Sequence, residues 1–138
     1  MAYWLLKTEP STYGFDDLER DECALWDGIH NPQALNYVRA MRTGDRVLIY
    51  HSGEQRTVVG SGSIPRDPYP DPEANDLKAT VVDVLVGKRA PRPVTLSTIK
   101  ADPLFADSAL VKQPRLSVVQ LTDEQWRWLA ALAGLDEV

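Results

Sequence analysis

Short apolar runs rich in β-branched and aromatic residues recur along the whole chain, separated by polar segments that contain proline or glycine. Runs of this length and composition predict buried β-strands. Gly60 and Gly62 within one run predict a bend or bulge in that strand. The predicted strands are residues 3–7, 24–26, 47–50, 57–64, 79–86 and 116–121.

Proline predicts where strands are absent or end. Residues 65–72 carry four of the chain's ten prolines, a density that excludes a helix or a central strand. This segment is therefore predicted to be an extended surface loop. Pro91 and Pro93 are predicted to end the strand that begins at residue 79, because proline cannot donate to a sheet ladder.

Polar residues of the capping types predict where helices begin. Asn31 and Pro32 suit the N-cap and the first helical position, and this helix is predicted to reach Met41 and stop at Gly44. Its predicted inward-facing side chains are Leu35, Val38 and Met41. The other predicted helices are residues 15–20, residues 96–102 behind a Thr95 cap, and a terminal helix opened by the capping box TDEQ at 122–125, with Trp128, Leu132 and Leu135 on one face. Strands interrupted by single short helices predict a mixed α+β fold, a small β-barrel or strongly curled sheet of five to six strands.

Length, charge and cysteine content narrow the class of protein. The 138 residues suit one domain, expected over residues 1–138, and no apolar run approaches the ~20 residues of a membrane helix. A single cysteine, Cys23, and the absence of a signal-like start favour a cytoplasmic protein. The net charge of −5 argues against binding nucleic acid mainly by neutralising phosphates, but it allows a pocket that grips one base.

Three blocks in order resemble the EVE family: YWLLKTEP at residues 3–10, LWDGIHNPQALNYVRAM at 25–41 and GDRVLIYHS at 44–52. Shorter matches follow as YPDP at 69–72, PRPVTL at 91–96 and ALVKQPRLSVVQLTDEQW at 109–126, so the resemblance covers nearly the whole chain. His30 and Leu35 stand where the family often has arginine, which weakens phosphate binding beside the pocket. The family segment matching residues 65–78 is often longer, so the loop here is expected to be trimmed.

The resemblance implies a PUA-like β-barrel related to YTH domains, with short flanking helices. It also implies a reader of a modified cytosine, methylated or hydroxymethylated, in DNA or RNA, without catalysis. The expected partner is nucleic acid with a modified base or a free modified nucleoside, bound by a monomer. No cofactor or metal is expected.

An aromatic wall for base stacking is the first part such a reader needs. Trp26 is the candidate wall, because it precedes the turn pair Asp27-Gly28 at the end of a predicted strand; core packing is the alternative. Asn31 either caps its helix or reads a base edge, and the two roles can coexist. Trp4 is predicted to lie in the core, where its indole N–H needs a partner.

Polar groups that leave two predicted strands complete the candidate pocket. Lys7 and Thr8 end the first strand, and Lys7 either pairs with Glu9, contacts a phosphate, bonds a base carbonyl or lies in solvent. Tyr50, His51 and Ser52 leave the central strand together, with core packing as the alternative for Tyr50. Candidate phosphate or rim contacts are His30, Arg39, Gln113 and Arg115. A wider basic rim would draw on Lys7, Arg39, Arg42, Lys88, Arg89, Arg92, Lys112 and Arg115.

Two other functions stay open. ASCH-type relatives of this fold resemble small amidohydrolases that act on modified cytidine through Lys, Thr and Glu, and Lys7, Thr8 and Glu9 are adjacent here. Neighbours on a strand point to opposite faces, so this reading requires the chain to bend at that point. An adaptor that binds a protein partner in a defence or stress system would bind no nucleoside.

Overall fold

The computed structural model describes residues 1–73 and 79–135. Thirteen short elements follow one another in this part of the chain, and strands dominate. In chain order they are β1 Tyr3–Thr8, α1 Phe15–Asp21, β2 Cys23–Trp26, α2 Pro32–Ala40, β3 Arg46–His51, β4 Thr57–Ser63, β5 Tyr69–Pro70, β6 Thr80–Thr95, α3 Leu96–Lys100, a 3-10 turn at Pro103–Phe105, α4 Ala109–Lys112, β7 Val118–Leu121 and α5 Asp123–Ala133.

The strands form one curled sheet in the order β2-β6-β4-β3-β1-β7, with β5 paired to β6 outside this path. The β1–β3 pair is parallel and the remaining pairs are antiparallel. Helix α2 contacts both β6, near one edge, and β7, at the other edge, so it bridges the open side of a half-barrel. This architecture confirms the predicted mixed α+β fold with a small curled sheet.

A buried carboxylate holds the start of β1 against the turn before β3. Asp45 is 4% exposed, and its oxygens accept from Trp4 Nε1 at 3.0 Å, from Ala2 N at 3.0 Å and from Arg42 N at 2.9 Å. The predicted partner of the Trp4 indole is therefore this carboxylate. Because a buried charge is stable only when it is hydrogen-bonded, the three donors make Asp45 a fixed point of the fold.

Gly60 allows α1 to approach the sheet where β4 changes register. The pairing of β4 with β6 shifts on both sides of Gly60, which confirms the predicted bulge. A Cβ at Gly60 would overlap the ring of Phe15, which is fully buried at the first position of α1. Glycine is thus required here by close packing against an aromatic ring.

One prediction about proline was wrong, and a second was confirmed only in part. Strand β6 continues through Pro91 and Pro93 to Thr95, because Val58 pairs with Val94 and Gly60 with Arg89. Residues 90–93 therefore lie in a register shift, where no ladder hydrogen bond from proline is needed. The predicted loop at 65–72 contains the short strand β5, in which Tyr69 pairs with Val81. The prediction of a trimmed loop concerned residues 65–78, and residues 74–78 of that segment lie outside the described residues.

Some helix limits and buried faces also differ from prediction. Helix α2 ends at Ala40, and its buried positions are Ala34 and Val38, while Leu35 is only half-buried. In α5 the buried side chains are Gln125, Trp126, Leu129, Ala130 and Ala133, and the predicted inward residue Leu132 is 40% exposed. The predicted caps of α3 and α5 are confirmed: Thr95 accepts from Thr98 N, and Thr122 with Gln125 forms the capping box of α5.

Candidate nucleobase-binding site

A cavity of about 500 Å³ opens where the carboxyl ends of β1 and β2 approach each other. These strands lie far apart in the sheet order, so only the curl of the half-barrel brings their ends together. Both strand ends supply side chains, as do the loops that follow them and the residue before β7. The lining residues are Lys7, Thr8, Glu9, Thr12, Tyr13, Leu25, Trp26, Asp27, Gly28, Ile29 and Ser117. We call this space the first cavity.

Two aromatic rings meet at right angles in the first cavity. Trp26 is 9% exposed, so most of its indole is buried while part of it lines the opening. The ring of Tyr13 stands edge-on to it, with centroids 6.1 Å apart and planes at 89°. The Tyr13 hydroxyl donates to Asp21 Oδ2 at 2.9 Å. Partial burial is the larger cause and the Asp21 carboxylate the smaller cause that together raise the pKa of Tyr13 to about 12. Tyr13 therefore stays neutral at physiological pH and is held in place from behind.

Lys7 brings a half-buried ammonium group to the same cavity. Its Nζ donates to Pro114 O at 3.0 Å and lies 5.5 Å from the centroid of the Tyr50 ring. Burial lowers the pKa of Lys7 below its ordinary value. An ammonium group has three donors, and Pro114 O is its single acceptor within the described residues, so two remain for a ligand.

The chain bends directly after β1, and this bend brings neighbouring side chains to one cavity. Thr12 N and Tyr13 N both donate to Glu9 O, at 3.0 Å and 2.9 Å. Lys7, Thr8 and Glu9 consequently all line the first cavity. The amidohydrolase hypothesis required such a bend in the chain. The Thr8 hydroxyl, however, donates to Tyr13 O at 2.5 Å. Its proton is therefore committed to the backbone.

Four residues predicted for the base pocket lie elsewhere. Asn31 is exposed and caps α2, accepting from Ala34 N at 3.1 Å, and it does not line the first cavity. Tyr50 and Ser52 line a neighbouring cavity. His51 is 9% exposed and has a structural role, because its Nε2 accepts from Phe15 N at 3.0 Å. Because Nε2 accepts, the donor of the His51 ring is Nδ1, which donates to Gln55 Oε1 at 2.8 Å.

The predicted rim contacts fall in three places. His30 is exposed directly after Ile29, at the border of the first cavity. Arg39 lies on α2, where it donates to Asn36 and Thr80. Gln113 and Arg115 belong to a tight turn closed by Leu116 N donating to Gln113 O at 3.0 Å. The same turn supplies Pro114 O to Lys7, so Arg115 lies beside the cavity and Arg39 does not line it.

The wider basic rim does not form, because most of its members have other partners. Arg89 pairs with Asp16 and Glu19 of α1, and Lys112 pairs with Asp107. Three more of its cations bond backbone carbonyls near helix ends: Arg42 at Arg39 O and Met41 O, Lys88 at Gly134 O, and Arg92 at Ala131 O and Leu132 O. Cations are favoured at such carbonyl-rich helix ends.

Seven lining residues were not recognised as site residues from the sequence: Thr12, Tyr13, Leu25, Asp27, Gly28, Ile29 and Ser117. Tyr13 and Thr12 lie in a turn after β1, and only the folded chain shows that this turn faces β2. The available signal was the aromatic residue in a polar turn, since an exposed ring there needs a reason. Ser117 reaches the site because Lys7 N donates to Ser117 O at 2.9 Å.

Comparison with known proteins defines the class to which this half-barrel belongs. The EVE domain family matches residues 2–132, nearly the whole chain. Thymocyte nuclear protein 1 of Mus musculus is 30% identical over 165 aligned positions, which cover 94% of this chain and 73% of that protein. The chain therefore belongs to the EVE domain family. Because the alignment exceeds the 138 residues here, the mouse protein carries additional residues within the matched region.

Solved structures agree with this assignment. Protein Rpa0253 from Rhodopseudomonas palustris is 41% identical with a TM-score of 0.92, over 100% of this chain and 97% of that one. Human THYN1 protein, solved in complex with DNA that contains 5-methylcytosine, is 25% identical with a TM-score of 0.88, over 96% of this chain and 98% of that chain. An ASCH protein from Zymomonas mobilis shares only the fold, with 14% identity and a TM-score of 0.58 over 94% of each chain.

Proposed function

We propose that this protein binds a modified cytosine base in the first cavity, as a reader without catalysis. The observation that carries the proposal is the Trp26 and Tyr13 corner beside the Lys7 ammonium in a cavity of about 500 Å³. Pockets for small ligands have volumes of about 300–1,000 Å³ and combine apolar walls with a few polar groups. The human relative solved with 5-methylcytosine-containing DNA supports the choice of base.

The polar lining suits the edge of a cytosine. Lys7 offers donors to the base carbonyl, while Glu9 and Asp27 offer acceptors to its exocyclic amine. Leu25 and Ile29 supply apolar surface for a methyl group. Because the pairing edge is hidden in a duplex, the base enters from a single strand or after flipping out.

Charge limits how the protein holds the rest of the nucleic acid. The chain has a net charge of −5, and five of its cations have carboxylate or carbonyl partners as described above. Affinity would then come from the base and few phosphates, so its salt dependence should be shallow. We propose a monomer as the binding unit.

An amidohydrolase is the second candidate, because Lys7, Thr8 and Glu9 share the first cavity. Their hydrogen bonds favour binding over chemistry. The Thr8 hydroxyl donates to Tyr13 O, and Glu9 Oε1 accepts from both Ser11 N and Ser11 Oγ. A nucleophilic hydroxyl needs an adjacent base to take its proton, and within the described residues none is bonded to Thr8.

The deciding experiment is calorimetric titration with 5-methyl-2′-deoxycytidine, 2′-deoxycytidine and N4-acetylcytidine, followed by chromatography of each mixture. The reader predicts saturable 1:1 binding that favours the methylated base, with every ligand recovered intact. Release of acetate from N4-acetylcytidine would show that the protein is an amidohydrolase and would reject the proposal of a reader without catalysis. No binding of any nucleoside or of a short single strand that contains 5-methylcytosine would reject both functions.

A further inference from the structure

A second cavity of about 380 Å³ adjoins the first, with Lys7 lining both. It lies between the end of β3, the turn before β4, and the segment that follows α4. Its lining residues are Lys7, Tyr50, Ser52, Gly53, Arg56, Leu96, Lys100, Leu110 and Pro114. One side chain therefore separates the two spaces.

The lining of the second cavity is cationic in a chain that is acidic overall. It contains Lys7, Arg56 and Lys100 and no carboxylate. The nearby Glu9 lines the first cavity, where its Oε1 accepts from Ser11 N and Oγ, while its Oε2 lies against Gly53 at the border of the second cavity. Glu54 lines an adjoining groove together with Arg56 and Lys100, and within the described residues it forms no ion pair. Arg56 Nε donates to Gly53 O at 3.2 Å. The terminal nitrogens of Arg56 and the Lys100 ammonium form no ion pair within the described residues, so an anion in the second cavity can bind them.

A tyrosine that is buried as a whole turns its hydroxyl into the same cavity, and this hydroxyl has no protein partner within the described residues. Tyr50 is 2% exposed, and its hydroxyl makes no hydrogen bond within the described residues. No fully enclosed side-chain N or O atom there lacks a partner, so this hydroxyl must open into the cavity that Tyr50 lines. Burial raises the pKa of Tyr50, and the nearby Arg56 opposes that rise. A neutral phenol beside a guanidinium can donate a hydrogen bond to an anion.

We propose that the second cavity binds a phosphate group of the nucleotide whose base occupies the first cavity. The inference rests on the proposed function, and it assigns Tyr50, Arg56 and Lys100 as phosphate contacts. Arg56 supplies a planar fork of donors, Lys100 a point charge and Tyr50 a hydroxyl donor, which together suit a tetrahedral oxyanion. Lys7 borders both groups, as expected if base and phosphate belong to one nucleotide.

Titration of the intact protein with 5-methyl-2′-deoxycytidine and with its 5′-monophosphate tests this assignment. The monophosphate should bind at least ~10-fold more tightly than the nucleoside, the effect of one or more hydrogen bonds to a charged group. Tyr50→Phe and Arg56→Gln should each remove most of this preference and leave nucleoside affinity unchanged. Arg56→Lys should restore part of it, and Arg127→Gln, an exposed arginine on α5, should change neither affinity.

A short single strand that contains 5-methylcytosine distinguishes the source of the phosphate. If a phosphodiester is bound, Arg56→Gln should also reduce the slope of log affinity against log salt by about 0.7. If the variant affects the monophosphate alone, the cavity takes a terminal phosphate. Equal affinities of the parent for nucleoside and monophosphate would overturn the proposal, as would equal losses in Arg56→Gln and Arg127→Gln.

Two measurements separate this inference from the proposed function. Tyr50→Phe should keep the parent's thermal midpoint, because the hydroxyl makes no bond inside the described protein; a lower midpoint would mean a structural hydroxyl and would reject it as a phosphate donor. The second measurement is the binding of inorganic phosphate, monitored by the broadening of its phosphorus-31 line, and it does not depend on a bound nucleobase. Broadening that disappears in Arg56→Gln would support the second cavity even if no nucleoside binds, and no broadening together with no nucleotide binding would reject both.

Discussion

Trp26 packs in the core and is proposed to stack on the bound base, and mutation can separate these two contributions, since the residue is only 9% exposed and also lines the first cavity. Truncation of a buried tryptophan to alanine costs about 3–5 kcal/mol. For a chain of this size the thermal midpoint should fall by roughly 10–20 °C. Because domains have about 5–15 kcal/mol of stability, Trp26→Ala should still fold at low temperature. Loss of base stacking should weaken ligand binding by about 1–3 kcal/mol, or roughly 5- to 150-fold.

The assay is thermal unfolding followed by circular dichroism, with and without 5-methyl-2′-deoxycytidine at a hundred times the parent's Kd. Ligand at that concentration should stabilise the parent by ~2.7 kcal/mol and Trp26→Ala by much less. Trp26→Phe and Trp26→Leu form a matched pair, because both keep an apolar side chain but only phenylalanine can stack. Trp128→Ala is the control, since Trp128 packs on Phe105 with centroids 5.3 Å apart, outside the cavity.

Three results would refute this reasoning. Ligand could stabilise Trp26→Ala as much as the parent. Trp26→Leu could bind as tightly as Trp26→Phe, which would show that stacking contributes nothing. Trp128→Ala could weaken binding as strongly as Trp26→Ala, which would make the loss a general effect of destabilisation.

Three further changes test the fold that carries the two cavities and the lysine between them. Asp45→Asn should lower the free energy of unfolding by about 1–3 kcal/mol, because an amide cannot accept from all the N–H groups that surround it, including the Trp4 indole; an unchanged urea midpoint would contradict this. Gly60→Ala should cost about 1–3 kcal/mol, because the new methyl overlaps the Phe15 ring, and a thermal midpoint at or above the parent's would show that the ring moves freely. Burial lowers the pKa of Lys7 from 10.5, so the unfolded chain binds the Lys7 proton more tightly than the folded chain does. The free energy of unfolding of the parent should therefore increase relative to that of Lys7→Met as the pH rises toward 10.5. Denaturant unfolding at about pH 8 and pH 11 checks this sign, and a pH-independent difference would refute it.

Local signals were sufficient for most elements of the fold. The run YWLLK predicts β1 because its apolar side chains can only be buried, and TDEQ predicts the start of α5 because a capping box satisfies backbone donors within four residues. Asn31 likewise caps α2, because its side chain accepts from the free backbone N–H of Ala34 in the first turn of the helix. Each of these depends on interactions between residues close in sequence, so no knowledge of the partner elements was needed.

Signals failed where the outcome depends on a distant partner. Proline at 91 and 93 predicts the end of a strand, yet the register shift against β4 carries β6 through both. Which face of α5 is buried depends on the sheet it contacts, so Leu132 was wrongly placed inside and Ala133 was missed. Basic residues give no sequence signal of their partners, and Arg89 and Lys112 were found paired with carboxylates.

The sequence by itself determined the family, the mixed α+β class and the presence of an aromatic strand end at Trp26, because these follow from residue types and short spacings. The tertiary structure decided which residues share a cavity. Curling of the sheet brings β1 and β2 together, so Tyr13 joins Trp26, while Tyr50 and Ser52 face a separate cationic space. The physical reason is that strands fix only the direction of each side chain, whereas closure of the half-barrel fixes the distances between them.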